Sequence, residues 1–209
     1  PNKDTKNKEE DYYLCLSRLS SHAGYLTINI SSPNTEGLRD FHEEAELQKL
    51  LTGINKIKRE KNILKPMVVK LSPDINSKDI SKIIELIIKF KIDGIIVSNS
   101  TDTNRDNLSD YQKNEIGGLS GKPLKNISTE LIKKFYKETK GKVKIIGVGG
   151  VDSGKTAFEK ICAGADVVQL YTGMVYKGPG VVKAMKKELI SILKKENLKN
   201  ISEAVGINA

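Results

Sequence analysis

The chain has 209 residues, 38% apolar and 29% charged, the balance of one soluble globular domain. Aromatics make up 5% and Trp is absent, so the core must rest on Ile, Leu and Val. No run reaches the ~18 apolar residues of a membrane helix, no signal peptide is visible, and the two cysteines, Cys15 and Cys162, show no metal spacing and suit small buried apolar roles.

The net charge of +9 comes from lysines such as Lys56, Lys61, Lys133, Lys134, Lys186 and Lys194. Most fall on the polar faces of predicted helices and read as a solvated surface. No aromatics interleave with them as a single-strand nucleic-acid binder would require, so no nucleic-acid partner is expected.

In chain order, Pro1 to Asp11 is polar. Tyr12 to His22 reads as a helix with Tyr13, Leu16 and Leu19 on one face. Tyr25–Ile30 is a short apolar strand. Ala45–Glu60 carries Leu47, Leu50, Leu51, Ile54 and Ile57 at helical spacing. Pro66 introduces strand Met67–Leu71. Asp79–Phe90 is a helix with Ile80, Ile83, Ile84 and Ile87 on its apolar face, and Gly94–Val97 is the next strand. A long polar loop from Asp102 to Asn114 is a candidate active-site lid. Ser128 is expected to cap a helix ending at Thr139. Strand Val143–Ile146, helix Ser153–Cys162, strand Val167–Leu170 and helix Val181–Lys195 complete the chain.

The pattern is one helix followed by five βα units, which means a parallel sheet flanked by helices. The strands are continuous apolar runs, as expected where both faces are buried. A dinucleotide fold would carry its glycine fingerprint after the first strand, with an acidic residue about twenty positions on. Neither is present, and the glycine-rich loops follow the last strands, the position of phosphate sites in barrels. A barrel needs eight strands and about 250 residues. The fold class is therefore α/β, a (β/α)8 TIM barrel of which residues 1–209 supply about strands four to eight. The remaining strands would belong elsewhere in the parent protein, since an open arc exposes two unpaired edges and an apolar face.

Each strand ends in a small polar or glycine-rich loop. Asn29, Ser32 and Asn34 gather where the first strand stops, around the breakers Pro33 and Gly37. Two amides and a hydroxyl there can bind a planar molecule with donors and acceptors on its edge. Lys70 points inward from a strand end and must be paired or functional; Asp74 is its candidate structural partner.

The strings Asn29-Ile30-Ser31-Ser32-Pro33-Asn34-Thr35-Glu36-Gly37-Leu38-Arg39, Val69-Lys70-Leu71-Ser72-Pro73-Asp74 and Val97-Ser98-Asn99-Ser100-Thr101 resemble motifs of the dihydroorotate dehydrogenases. So do Gly117-Gly118-Leu119-Ser120-Gly121-Lys122-Pro123-Leu124, Ile145-Ile146-Gly147-Val148-Gly149-Gly150-Val151 and Gln169-Leu170-Tyr171-Thr172. The resemblance covers nearly the whole chain in the family's motif order. Serine at position 32, where class 1 enzymes have cysteine, places the likeness with the quinone-dependent class 2.

The resemblance implies oxidation of dihydroorotate to orotate, with FMN taking the hydride and a quinone as final acceptor. It implies Ser32 as catalytic base and Asn29, Asn34, Asn99 and Ser100 as orotate contacts. Thr35, through a water, is a candidate relay for the Ser32 proton. Where relatives often carry threonine, Ser100 keeps the hydroxyl. It further implies FMN contacts from Asn29, Lys70, Ser98, Gly121, Gly149, Gly150, Tyr171 and Thr172, with the glycines admitting backbone amides to the phosphate. Quinone and membrane contact would come from an N-terminal segment outside this chain, with peripheral attachment to an inner membrane, bacterial or mitochondrial. The competing expectations are another FMN barrel, such as a tRNA dihydrouridine synthase, or a chain inert without its partner half. The first is disfavoured because those enzymes use a catalytic cysteine and none lies in a strand-end loop here.

Overall fold

In a computed structural model, residues 5–103, 105–106 and 108–209 are described. The first four residues of the polar N-terminal stretch, and Asn104 and Asn107 of the candidate lid, lie outside them. The elements are α1 (Lys8–Leu19), β1 (Leu26–Asn29), α2 (Glu44–Glu60), β2 (Met67–Leu71), α3 (Ile80–Lys89), β3 (Gly94–Val97), α4 (Lys125–Thr139), β4 (Lys144–Val148), α5 (Gly154–Cys162), β5 (Val167–Gln169), α6 (Thr172–Lys177) and α7 (Val181–Lys195).

The five strands form one parallel sheet in the order β1-β2-β3-β4-β5. A doubly wound sheet reverses its strand order at a switch point; an unbroken sequential order is that of a barrel arc. Two aspartates set where strand pairs begin. Asp93 accepts the Met67 amide at 2.7 Å while its own amide donates to the Met67 carbonyl at 2.9 Å. Asp166 repeats this with Ile145, at 2.9 and 2.8 Å. Each pair closes a reciprocal link at the bottom of neighbouring strands.

Helices cover one sheet face. Ile28, Val69, Ile95 and Ile145 point to that side, and each is at most 4% exposed. They pack with Leu47, Leu50 and Leu51 of α2, Ile83 and Ile87 of α3, and Ile132 and Phe135 of α4. The expectation that both faces are buried holds only at the middle of the sheet. The row Asn29, Lys70, Ile96, Ile146 and Val167 lies in register on the opposite face. Ile96 at its centre is 3% exposed, whereas Val167 at the edge is 54% exposed. Across this concave side, Gln169 Nε2 donates to the Tyr25 hydroxyl at 3.2 Å.

Several local expectations are corrected. Helix α1 starts at Lys8, not Tyr12, because the Asn7 side chain accepts from Glu10 N and acidic residues fill the first turn. Ser128 does not cap α4. That helix is entered through a 3-10 turn, Lys122–Leu124, with Pro123 at its start, and Ser128 is buried in its second turn. Ser153 does cap α5, in a capping box with Thr156. Helix α6 was not anticipated. Both cysteines are free, but only Cys162 is buried; Cys15 faces solvent on α1.

Phe135 heads the largest fully buried side chains and packs in the main core. Phe135→Ala is expected to destabilise the protein by about 3–5 kcal/mol, read as a lower midpoint in denaturant unfolding with an unchanged slope.

Candidate functional site

A cavity of about 850 Å³ opens at the C-terminal ends of β2 to β5. Its floor carries Lys70 from β2 and Val148 from β4. The Ser98–Asn99–Ser100 turn after β3 forms one wall. Gly149 and Gly150 after β4, and Tyr171 and Thr172 after β5, form the other. Gly121, before the 3-10 turn into α4, closes the rim. Nine of the twelve residues singled out from sequence thus share one space.

The glycines are there for close approach. Gly149 and Gly150 have φ of +114° and +71°, conformations that L side chains rarely adopt. A Cβ on Gly150 would lie 2.7 Å from Lys125 Cα, and one on Gly149 would lie 3.0 Å from Leu124 Cγ. Gly121, at φ +81°, packs as tightly on Thr172. The Thr172 hydroxyl in turn sits 2.8 Å from Ser120 Oγ, joining the rims contributed by the loops after β3 and β5. Three glycines without side chains, Gly121, Gly149 and Gly150, line this end of the cavity, which lets a ligand approach their backbone.

The remaining three residues stand beside this cavity. Asn29 ends β1 in register with Lys70. Its Oδ1 accepts from Ser31 Oγ at 2.7 Å and from Ser31 N at 3.3 Å, which fixes the side chain at the strand end. Ser32 Oγ accepts from Asn34 N at 3.2 Å. Asn34 lines a smaller neighbouring cavity of about 350 Å³ with Pro33, Arg105 and Gly117. Gly118, which lines the larger cavity, packs on the Ser100 side chain and on Pro33, which lines the smaller one.

Lys70 is half-buried, and burial pushes its ammonium below the usual lysine range. Among the described residues no carboxylate pairs with it. The expected partner, Asp74, is engaged elsewhere: its Oδ2 lies 3.1 Å from Arg39 Nη2 and its Oδ1 accepts from Thr101 at 2.5 Å and Thr103 at 3.2 Å. The structural alternative for Lys70 therefore falls, and its positive charge faces the cavity.

Sequence reasoning missed the Arg39 clamp. Arg39 Nη1 also pairs with Asp102 at 2.8 Å, and Nη2 donates to the Ser100 carbonyl at 3.4 Å, so one guanidinium ties together the loops after β1, β2 and β3. The long polar loop is organised in the same way. Thr101 and Leu119 exchange backbone hydrogen bonds at 3.0 and 2.6 Å, and Arg105 donates to the carbonyls of Lys113, Glu115 and Gly117. His42 adds a second link behind the clamp. Its Nδ1 lies 2.8 Å from the Arg39 carbonyl, and Nε2 accepts from Ser72 N at 3.2 Å. Neutral imidazole with the proton on Nδ1 satisfies both contacts, and burial pushes the His42 pKa down.

A parallel barrel arc with its main cavity at the C-terminal strand tips defines part of a (β/α)8 barrel, a class of proteins whose functional residues lie on the βα loops. The sequence profile of the dihydroorotate dehydrogenase family matches residues 2–193. The chain belongs to that family. It is 43% identical over 205 residues to a dihydroorotate dehydrogenase (quinone) of Trichodesmium erythraeum, covering 94% of this chain and 53% of that protein. It is 40% identical over 212 residues to the mitochondrial dihydroorotate dehydrogenase (quinone) of Mus musculus, covering 99% of this chain and 53% of that one. A crystal structure of the Eimeria tenella dihydroorotate dehydrogenase in complex with ferulenol superimposes with a TM-score of 0.94 at 35% identity, covering 99% of this chain and 60% of that chain. The chain thus spans about half the length of the curated relatives it matches. The family match sets aside the dihydrouridine synthase alternative, and both cysteines sit on helices away from the cavity.

Because His42 is held neutral in the folded state, its pKa lies below the ordinary 6.5. Acidification through that window charges the unfolded chain before the folded one, so stability falls as pH drops from about 6.5 toward the lowered folded value. Replacing His42 by Gln is expected to flatten this part of the stability–pH curve in denaturant titrations.

Proposed function

We propose that this chain forms strands four to eight of a single FMN-binding (β/α)8 barrel that oxidises dihydroorotate to orotate in pyrimidine biosynthesis, with a quinone as final electron acceptor. The observation that carries the reading is the convergence of Lys70, Ser98–Ser100, Gly121, Gly149–Gly150 and Tyr171–Thr172 on one cavity. The residues present fit FMN. The positive-φ glycines suit its phosphate, and the volume lies within the range of cofactor pockets. FMN, when bound, supplies the ring that accepts hydride.

The chain's own residues do the rest. Lys70 holds a positive charge at the cavity floor, where it favours negative charge building on a bound ring. Ser98 lines the same wall, and its hydroxyl is turned back to the Asn99 carbonyl at 3.2 Å, which fixes the turn. Asn99 and Ser100 present an amide and a hydroxyl to a substrate, with the Asn29 NH2 and Asn34 arriving from the loop after β1. Ser32 removes the C5 proton as its own hydroxyl proton passes to a water beside Thr35 and on to solvent. A serine oxygen is a poor base until its own proton is passed on. The N–H of Asn34 donates to that oxygen and supports negative charge there. Arg39 keeps these loops at a constant spacing, and the polar loop from Asp102 to Asn114 serves as the lid that excludes water.

Quinone and membrane contacts are assigned to a segment of the parent protein N-terminal to these strands. The parent attaches peripherally to an inner membrane, on the bacterial cytoplasmic face or in mitochondria. The mouse relative is named mitochondrial. Among the described residues no helix is long and apolar enough to cross a membrane.

The test is orotate formation by the flavin-loaded full-length protein with a quinone acceptor. Ser32→Ala is expected to lower kcat by about 10²–10⁴-fold, with flavin content unchanged. An unimpaired Ser32→Ala enzyme across the pH range would remove Ser32 from the base role.

A further inference from the structure

Lys160 is the one lysine among the described residues that is fully buried, at 0% exposure. It lies on α5, behind the glycine turn that follows β4, and packs where a Cβ on Gly147 would touch its Cδ at 3.4 Å. A buried ammonium is costly unless its donors are met. Lys160 Nζ meets three oxygens at the start of α4: the Lys125 carbonyl at 3.3 Å, Ser128 Oγ at 3.0 Å and Thr129 Oγ1 at 3.1 Å.

The protons in this cluster can be counted. Ser128 Oγ donates to the Val148 carbonyl, with Val97 O also within 3.4 Å. Thr129 Oγ1 donates to the Lys125 carbonyl at 2.8 Å. Both hydroxyl protons are therefore committed, and a carbonyl can only accept. Lys160 must supply all three donors, which only the ammonium form can do.

These contacts end at the cavity. Val148 and Val97 are the last residues of β4 and β3 and immediately precede Gly149 and Ser98. Gly149 and Gly150 pack directly on Leu124, Lys125 and Ser128, and Lys160 holds the latter two. We propose that Lys160 is a positioning residue of the phosphate cradle: through Ser128 and the first turns of α4 it holds the Gly149–Gly150 amides in place and adds a buried positive charge behind them. This rests on reading that turn as the FMN phosphate site.

Burial works against the charge. With Glu159 raising and Lys125 lowering it, and those two paired at 3.1 Å, the Lys160 pKa falls to about 7. These are the charged groups of α4 and α5 that act on it. A phosphate in the cradle favours the ammonium, so binding takes up a proton and weakens as pH rises above neutrality.

The test compares FMN with riboflavin, which lacks the phosphate, by fluorescence titration of the full-length protein. Lys160→Met is expected to weaken FMN about 10- to 100-fold and to leave riboflavin unchanged. Ser128→Ala should show the same selective loss, and the double variant should be no weaker than Lys160→Met alone. The preference of the wild type for FMN should decline as pH rises above neutrality, and that titration should vanish in Lys160→Met. If Lys160→Met does not fold, Ser128→Ala decides. An unchanged FMN preference in these variants, or an equal loss of FMN and riboflavin, would overturn the positioning role. A wild type that binds both flavins equally would instead overturn the cradle itself, and this inference with it.

Discussion

Two reciprocal links, each pairing an aspartate's carboxylate and amide with one residue of a neighbouring strand, hold the architecture in register. The Asp93 carboxylate takes the first amide of β2 and the Asp166 carboxylate the second amide of β4, and each aspartate returns its own N–H to that residue's carbonyl. A parallel strand pair shifted by one residue would turn its core side chains to the other face. With the bottoms pinned, Leu71 pairs with Val97 and Val97 with Gly147, so these strands finish level. The residues that follow them then have one place to meet.

What meets there is held from behind rather than by itself. Arg39 spans three loops with one planar group, a task suited to a guanidinium's fixed fork of donors. His42 braces the same loops from the core side. On the opposite wall the glycine turn leans on the start of α4, which a buried ammonium fastens to α5. Lys177 ties α6 to the loop after β4 by pairing with Asp152 at 3.2 Å. The side chains offered to a ligand are few, while the ones that fix their spacing are many.

Much of this was legible in the residues. Strands β2 and β3 and helix α7 match their expected bounds, because apolar runs and helical spacing report burial directly. Helix α3 buries Ile80, Ile83, Ile84 and Ile87 as its pattern foretold. Nine of the twelve motif residues line one cavity because loops after parallel strands share one end of a sheet, while Asn29, Ser32 and Asn34 stand beside it. Misreadings came where a local signal had two meanings. Ser128 looked like a helix cap, yet it lies inside the helix and bridges two strand ends; Pro123 was the true start signal. Helix α6 is too short to show a period. The Arg39 pairs and the Lys160 cluster join residues 63 and 32 positions apart, a distance no local pattern encodes. The readable hint for Lys160 was its place in the apolar phase of α5, between Ala157 and Ile161.

Strand register, then, sets a mouth at the strand tips, and the proposed function puts a phosphate on its glycine turn and a flavin ring at Lys70. A crystal structure of the full-length protein with FMN bound tests this most directly. The phosphate should lie on the amides of Gly149 and Gly150, with the ring reaching Lys70 and the Ser98–Ser100 turn. Phosphate density at any other strand end, or a ring remote from Lys70, would contradict it.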